Sequence, residues 1–358
     1  MWKDLDISLE KAVKLKTRPA EENLGFGQFF TDHMFQMEWN KGDGWHHARI
    51  IPYQPFSMDP ASTVLHYGQA IFEGLKAYRA DDDRILLFRP EDNFNRMNKA
   101  AVRMSMPRFP VDQVLKALKA LVYLDRDWIP AAEGASLYLR PTMIGVDPFL
   151  GLKPASAYIF YIIMSPVGAY YSEGFSPTKI YVCKDYVRAV KGGVGDVKTA
   201  GNYAASMLAA EKAKEAGYTQ VLWLDACERK YVEEVGTSNI FFKINDTLIT
   251  PPLSGSILGG ITRRSVIQLL QSWDIAVEER PISIDEVIAA SQDGSLKESF
   301  ATGTAAVISP VGELFYNDAA YPINNGETGA LSIRIFEALQ SIQFGRAKDS
   351  FGWTVNVV

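Results

Sequence analysis

Apolar residues recur along the first half of this chain with two different spacings. Short apolar runs bounded by polar residues predict strands, and apolar positions repeated every three to four residues predict amphipathic helices. The second helical stretch begins directly after Pro110, a residue that favours a helix start. The strands predicted in this half are 35–39, 48–52, 136–145 and 157–165, and the predicted helices are 92–106 and 111–129.

A change in composition separates the two halves of the chain. Residues 165–178 are rich in Gly, Pro, Ser and Tyr, which is typical of a linker. We therefore predict a small N-terminal domain at 1–164, an interdomain linker at 165–178 and a large C-terminal domain at 179–358.

Strands and helices alternate in the second half, so the predicted fold class is α/β, with two mixed α/β domains of α+β-like character. No G-x-G-x-x-G turn follows a predicted strand, so the pattern does not indicate a dinucleotide-binding unit. The predicted strands of this half are 179–187, 221–225 and 240–244, and the predicted helices are 203–216, 262–272 and 285–290.

Composition and charge exclude several classes of protein. The chain has 358 residues, with 37 Lys and Arg against 42 Asp and Glu, and no basic block that would attract nucleic acid or an anionic membrane. Its longest apolar run, 157–164, is far shorter than the ~20 residues of a membrane-spanning helix, and the first residues lack a signal peptide's apolar stretch. Cys183 and Cys227 make no disulfide framework or metal motif. We expect a soluble, cytoplasmic, metal-free protein.

A glycine-rich segment at 191–206 is the first candidate for chemistry. It reads KGGVGDVKTAGNYAAS and places Lys198 among glycines, between a predicted strand and a predicted helix. A lysine amine forms a Schiff base with a carbonyl cofactor when burial or a neighbouring cation lowers its pKa from ~10.4. The segment lacks the G-x-x-x-x-G-K-[ST] spacing of a phosphate-binding loop. Taken alone, it fits a flexible surface loop with a solvated lysine equally well.

A second candidate segment extends from Glu233 to Ser265. Glu234 precedes a hydroxyl-rich turn and a buried strand, and the residues LGGIT at 258–262 precede a predicted helix that carries Arg263. Free backbone amides at a helix start and the Thr262 hydroxyl would suit a phosphate. Taken alone, the segment also fits an ordinary helix start with Thr262 as its N-cap.

Together these segments resemble the class IV aminotransferases. GDVKTAGNY resembles the family's pyridoxal-phosphate lysine segment, and three segments of the first half, 29–40, 65–79 and 137–145, resemble branched-chain amino-acid aminotransferases. The resemblance extends from about 26 to 311 and implies a fold type IV pyridoxal-phosphate enzyme. The residues that match the family signature are Glu234, Gly236, Asn239, Ile240, Phe241, Leu248, Thr250, Leu258, Gly260, Ile261 and Arg263.

The resemblance implies that Lys198 holds pyridoxal phosphate as a Schiff base and moves a proton between substrate Cα and the cofactor. It further implies that Glu234 pairs with the ring nitrogen and that Tyr203 hydrogen-bonds the 3′ oxygen. Arg96 also fits an exposed helix face, because it shares helical spacing with two other basic residues. The residues implied for the phosphate are Ile261, Thr262, Thr304 and Arg96.

The implied reaction is transamination of branched-chain L-amino acids (Leu, Ile, Val) with 2-oxoglutarate, which gives branched-chain 2-oxo acids and L-glutamate. By resemblance, the apolar pocket wall comprises Phe26, Phe72 and Tyr170, the polar gate comprises Tyr138 and Arg140, and the α-carboxylate site comprises Thr237, Ala305 and Tyr67. Each of these aromatic residues, without its motif, would be interpreted as plain core. In the family, Tyr67, Arg140 and Leu152 come from the neighbouring subunit, which implies a homodimer.

Some features depart from the family or have no role in it. Ala306 and Ser309 stand where the animal enzymes have a Cys-x-x-Cys redox pair, so we expect no thiol switch and a bacterial type of enzyme. We interpret the pair His46 and His47, and the acidic run 81–83, as solvated loop residues rather than metal ligands.

Three alternatives remain beside this interpretation. D-amino-acid aminotransferases and aminodeoxychorismate lyases share the lysine and the glutamate but are shorter, and the segments 65–79 and 137–145 disfavour both. A metabolite-binding protein that keeps the fold without catalysis is disfavoured because Arg96, Lys198, Tyr203 and Glu234 are all retained.

Overall fold

The computed structural model describes residues 5–169 and 175–358. Contacts divide them into two compact units: the first holds 5–169, Val197–Ala200 and Ser341–Val358, and the second holds 175–196 and Gly201–Gln340. The sequence-based boundary at 179 did not anticipate that the carboxyl terminus and the four-residue lysine segment belong to the first unit. The predicted fold class, mixed α/β, is confirmed.

The first unit is built on a nine-stranded sheet. The strands are β1 (Ser8–Leu9), β2 (His33–Asn40), β3 (Gly44–Pro52), β4 (Ala70–Phe72), β5 (Leu75–Arg79), β6 (Ile85–Phe88), β7 (Ser136–Gly145), β8 (Ala157–Val167) and β18 (Thr354–Asn356). They lie in the order β1-β3-β2-β8-β7-β5-β6-β18, with β4 also paired to β7. The long central strands, β7 and β8, are antiparallel and mostly buried, as their continuous apolar runs predict.

The second unit contains another nine-stranded sheet. The strands are β9 (Thr178–Cys183), β10 (Gln220–Leu224), β11 (Val232–Val235), β12 (Asn239–Ile244), β13 (Thr247–Thr250), β14 (Val277–Glu279), β15 (Leu296–Gly303), β16 (Val307–Tyr316) and β17 (Ala319–Pro322). They lie in the order β11-β10-β9-β16-β15-β12-β13-β14, with β17 paired to β16. An apolar cluster that includes Leu222, Phe242 and Leu314 forms the core of this unit, and all three side chains are fully buried.

The helices follow the predicted amphipathic stretches where these exist. In the helix 111–124, apolar residues at helical spacing are buried, among them Val114, Leu118 and Leu121. The helices are α1 (Thr63–Tyr67), α2 (Pro90–Arg103), α3 (Val111–Leu124), α4 (Ala200–Ala204), α5 (Met207–Glu215), α6 (Ile261–Gln271), α7 (Ile284–Gln292) and α8 (Ala330–Gln343), with 3₁₀ turns at Glu21–Asn23, Arg126–Trp128 and Asn324–Gly326.

Two predicted helices differ from the structure for identifiable reasons. The helix predicted to reach residue 129 ends at Leu124, because the buried Asp125 carboxylate accepts hydrogen bonds from the backbone N–H of His33 and from its Nδ1. The helix predicted at 203–216 is two helices, α4 and α5, and Ser206 between them donates its hydroxyl to the Tyr203 carbonyl.

The pair His46 and His47 lies within β3, so its interpretation as loop residues was wrong. The stretch 301–310 consists of the paired ends of β15 and β16 with a three-residue turn between them. No helix in the described part of the chain has both the length and the hydropathy that a bilayer crossing requires.

Candidate active site

Lys198 is held against the edge of β4 by backbone pairing. The Phe72 N–H donates to the Lys198 carbonyl at 3.1 Å, and the Thr199 hydroxyl donates to the Ala70 carbonyl at 2.8 Å. An antiparallel bridge joins Thr199 to Ile71. This pairing fixes the backbone of the lysine segment against the sheet of the first unit, so Lys198 is a half-buried, positioned side chain rather than part of a solvated loop.

The Phe72 ring lies beside two positively charged side chains, Lys198 and Arg140. The Lys198 Nζ lies 4.8 Å from the centre of the Phe72 ring, and the Arg140 Cζ lies 4.9 Å from the same centre. The Arg140 NH2 donates to the Tyr138 hydroxyl at 3.0 Å, and the Tyr138 ring contacts the Phe26 ring at a centroid distance of 4.9 Å. The structure thus brings together five residues that the sequence analysis assigned to the lysine, the pocket wall and the gate.

One nitrogen of Arg140 has no hydrogen-bond partner among the described residues. This atom, Nε, is buried, and a buried donor without an acceptor is costly. A carboxylate supplied by a ligand would satisfy it. Arg140 also lies beside the Phe72 ring that Lys198 of the same chain contacts. This arrangement favours a role for Arg140 in the site of its own chain, whereas the resemblance implied a role in the site of a neighbouring subunit.

Arg96 is engaged by a buried acid that the sequence analysis did not select. Its Nε and NH2 donate to the two oxygens of Glu73 at 2.7 and 2.8 Å, and the Asn93 amide donates to Glu73 at 2.9 Å. Burial acts to raise the pKa of the Glu73 carboxyl, but Arg96, with Lys198 and Asn93, lowers that pKa below its usual value. The two-nitrogen edge of Arg96 therefore faces Glu73, and contact between Arg96 and a phosphate stays a prediction.

Glu234 is the corresponding buried acid of the second unit. It lies on β11 with 2% of its surface exposed. The Asn239 amide donates to one of its oxygens at 3.0 Å, and the Arg188 Nε lies 2.7 Å from the other. Glu234 is therefore a buried acid held between an arginine and an amide, as the predicted contact with a ring nitrogen requires.

Arg188 is itself fixed by backbone carbonyls. Its NH1 donates to the carbonyls of Gly195 and Ser256 at 3.1 and 2.8 Å. A Cβ at Gly195 would lie 2.3 Å from the Ser256 carbonyl oxygen, so only glycine allows this close approach. The glycines of the segment 191–206 thus serve close backbone packing beside the arginine that contacts Glu234.

The start of α6 has the features of an anion site. Its N-cap is Gly260, which has no side chain to cap the first amides, and its first turn contains no acidic residue. Ile261 and Thr262 are the first two residues of the helix, so the alternative in which Thr262 is the N-cap was wrong. A Cβ at Gly260 would lie 2.1 Å from the Asn239 Oδ1, so the start of α6 packs closely against Asn239, whose amide donates to Glu234.

The remaining predicted residues that the structure describes lie in turns, on short helices or in an exposed segment. Thr304 and Ala305 lie in the turn between β15 and β16, and Thr237 lies in the turn between β11 and β12. Tyr203 is half-buried on α4. Tyr67, at the end of α1, is 41% exposed, and Leu152 is 83% exposed. Tyr170 lies outside the described residues.

Sequence reasoning missed Glu73 and Arg188. Glu73 lies inside the segment 65–79 that carried the resemblance, and a lone acid within a buried apolar run is a signal for a buried ion pair. Arg188 gave no such signal, because its partner Glu234 lies 46 positions away in the chain and the two meet only after folding.

Comparison with known proteins gives concordant results. The sequence profile described as "Amino-transferase class IV" matches residues 70–314. Over 351 residues the chain is 56% identical to Branched-chain-amino-acid aminotransferase 2 of Bacillus subtilis (strain 168), covering 98% of this chain and 97% of that protein. Over 352 residues it is 50% identical to a probable branched-chain-amino-acid aminotransferase of Staphylococcus epidermidis, covering 98% of each. Among solved structures it is similar to the branched-chain amino acid aminotransferase from Thermobaculum terrenum in its PLP form, with a TM-score of 0.75, 25% identity, and coverage of 91% of this chain and 98% of that one.

Proposed function

Because this chain belongs to the class IV aminotransferases, we propose that it exchanges the amino group between branched-chain L-amino acids and 2-oxoglutarate, giving branched-chain 2-oxo acids and L-glutamate. The observation that carries the proposal is the cluster of Lys198, Phe72 and Arg140. It places an amine and a guanidinium beside the same apolar ring, and a buried nitrogen of that guanidinium lacks an acceptor among the described residues.

The donor set suits pyridoxal phosphate. Lys198 would hold the cofactor's aldehyde carbon, Glu234 would pair with its ring nitrogen, and the amides of Ile261 and Thr262 would bind its phosphate. The burial of Glu234 between Arg188 and Asn239 and the lack of a side-chain cap at the start of α6 support these assignments. When bound, the cofactor supplies a ring that delocalises the negative charge left at substrate Cα. Arg96, Tyr203 and Thr304 complete the proposed cofactor contacts.

Lys198 would also transfer the proton at substrate Cα. Such a step requires an amine held within reach of the reacting carbon, and the pairing of Thr199 and Lys198 with β4 provides a fixed backbone from which the side chain extends. The ring of Phe72 beside the amine excludes water from one side.

One site must accept both an apolar side chain and the acidic side chain of glutamate. We assign the apolar contacts to Phe26, Phe72 and Tyr170, and the glutamate γ-carboxylate to Arg140 with Tyr138. The unsatisfied Arg140 Nε supports the second assignment, since a carboxylate would provide its acceptor. The α-carboxylate is assigned to Thr237, the Ala305 amide and Tyr67.

We further propose that the chain acts as a homodimer in the cytoplasm. The first unit exposes large apolar side chains on α1 and in the segment that follows β7: Leu65 is 60% exposed, Leu150 is 64% exposed and Leu152 is 83% exposed. The Tyr67 hydroxyl donates to the Leu150 carbonyl, which joins α1 to this segment. An exposed apolar group of this kind is typical of a subunit contact, and a second copy of the chain is the partner that the family implies.

A spectrum and an assay of amino donors test the function together. We expect the purified protein with added pyridoxal phosphate to absorb in the visible region and to convert L-leucine with 2-oxoglutarate much faster than D-alanine. The matched control is the Lys198→Ala variant, which should do neither. Preference for D-alanine would contradict the substrate assignment, and a wild-type protein that stays colourless with the cofactor would favour the non-catalytic binding protein.

A further inference from the structure

A histidine pair on β3 meets an acid of the neighbouring strand, away from the residues assigned to transamination. The side chains of Glu38 on β2 and of His46 and His47 on β3 each place one ligand atom within 4.8 Å of the other two. Among the described residues, this is the group of His, Cys, Asp and Glu side chains close enough to hold a metal ion. We propose that Glu38, His46 and His47 bind a single divalent transition-metal ion of the zinc type.

An irregularity in the strand pairing creates this cluster. Successive side chains of a regular strand point to opposite faces, so neighbouring histidines would normally be separated. Here His47 has a left-handed backbone with φ of 51°, and the register between β2 and β3 shifts between Gln36 and Glu38. The two imidazole rings consequently contact each other edge to face, with centroids 4.6 Å apart. A bulge that re-aims a side chain is a common feature of functional sites in sheets.

Two of the three proposed ligands are oriented by groups behind them. The His46 Nδ1 lies 2.9 Å from the Gly44 carbonyl oxygen, which can only accept, so a proton on Nδ1 would leave the lone pair of Nε2 for a metal. The Arg49 NH2 donates to the Glu38 Oε1 at 3.2 Å, which leaves Oε2 directed toward the histidines. Metal-binding histidines and carboxylates in proteins are held by outer partners of this kind.

Two of the proposed ligand atoms are spaced for a small ion. The His47 Nδ1 and the Glu38 Oε2 are 3.5 Å apart. Neighbouring ligands of a tetrahedral zinc ion with bonds of 2.0–2.1 Å are separated by about 3.3 Å. Two imidazole nitrogens and one carboxylate oxygen form a donor set that zinc accepts, with a fourth position for water.

The surroundings leave room for that fourth ligand. Glu38 and His46 line a cavity of about 400 Å³ whose wall also includes Gln36, Asn40 and Arg49. Arg49 is a positive charge next to the site, but its contact with Glu38 uses the oxygen that faces away from the histidines. We therefore expect micromolar rather than tighter affinity, since a neighbouring cation weakens the binding of a metal ion.

Zinc chloride titrated into chelator-treated holoenzyme, followed by calorimetry, tests the site directly. We expect one ion per chain. Glu38→Gln and His47→Asn should each weaken binding at least tenfold, and Asn at position 47 is compatible with the left-handed backbone. Cobalt chloride provides an independent signal, because a tetrahedral cobalt ion with nitrogen and oxygen ligands has visible bands that the same variants should lose.

Matched controls use groups outside the cluster. His66→Gln removes another histidine, whose Nε2 lies 2.9 Å from the Pro60 carbonyl oxygen, and Cys227→Ser removes the exposed thiol. Both should bind zinc like the wild type, and thermal unfolding without metal should verify that every variant is folded. Absence of stoichiometric binding, or binding that Glu38→Gln and His47→Asn leave unchanged, would overturn the proposal. Loss of binding in Cys227→Ser alone would assign the metal to the thiol and overturn it as well.

Discussion

Each unit of the molecule buries one glutamate between an arginine and an asparagine, but the two arrangements differ in what the arginine does. In the first unit, Arg96 contacts both oxygens of Glu73 through two nitrogens. In the second unit, Arg188 approaches Glu234 with Nε, while its NH1 donates to backbone carbonyls. Arg96 therefore binds its glutamate with two nitrogens, whereas Arg188 is held by main-chain carbonyls and contacts its glutamate with one nitrogen.

We interpret this difference as separating a stabilising pair from a pair proposed to act in turnover. A bidentate arginine satisfies a buried carboxylate by itself, and the Asn93 amide and the Gly74 N–H add to it at Glu73. Glu234, by contrast, is held in place by Asn239, the residue that also lies against the glycine at the start of α6. We infer that Glu73 acts mainly on stability and that Glu234 acts mainly on turnover.

The largest expected effect is on stability. Glu73→Gln leaves the half-buried Arg96 without its negative partner, and breaking a buried ion pair from one side costs about 3–5 kcal/mol. Denaturant unfolding of the holoenzyme should show a loss of that size, whereas Glu91→Gln, an exposed change on the helix that carries Arg96, should lie close to the wild type. A loss below about 1 kcal/mol would remove the stabilising role assigned to Glu73.

The next effect is on turnover. Glu234→Gln keeps the shape of the side chain but removes the negative charge proposed to pair with the ring nitrogen, so kcat should fall by on the order of 100-fold. The free energy of unfolding should change less than in Glu73→Gln. If the two variants lost stability and turnover to the same extent, the contrast between the two glutamates would not hold.

A smaller effect concerns substrate choice. Arg140→Ala removes the donor proposed for the γ-carboxylate, and a charge-assisted hydrogen bond is worth about 1.5–3 kcal/mol. We expect kcat/KM for glutamate and 2-oxoglutarate to fall roughly 10-fold or more, with leucine affected far less. Equal losses for leucine and glutamate in steady-state assays would contradict the assignment.

The smallest effect appears only in acid. The pKa of Glu73 is lower in the folded protein than in the unfolded chain, so its stabilisation is complete above the ordinary glutamate pKa of about 4.3 and is lost as the pH falls through the folded value. The difference in unfolding free energy between the wild type and Glu73→Gln should be constant near neutral pH and should shrink below about pH 4. If the difference in unfolding free energy between the wild type and Glu73→Gln grew as the pH fell, the prediction would be contradicted.

The family and the fold type were accessible from the sequence because they rest on local patterns. The class IV resemblance is confirmed by the matching profile and the relatives, and fold type IV is confirmed by the similar solved structures. The strands β7 and β8 and the helix α6 were predicted within two residues, since continuous apolar runs and helical spacing are properties of short stretches.

Features that depend on distant residues were not accessible in the same way. The end of α3 is set by the contact between Asp125 and His33, which are 92 positions apart. The proximity of Glu38 to the histidine pair depends on a register shift between β2 and β3 that the residue pattern does not predict. The site residues named from the sequence stay predictions, although the clustering of Phe72, Arg140 and Lys198 supports them.

Reduction of the holoenzyme with sodium borohydride, followed by peptide mass spectrometry, tests the central claim most directly. The account predicts that the cofactor label is attached to Lys198 in a single peptide. The first unit offers a competing amine in the buried Lys76, since burial lowers its pKa to about 8. A label on Lys76, or on any lysine other than Lys198, would contradict the account.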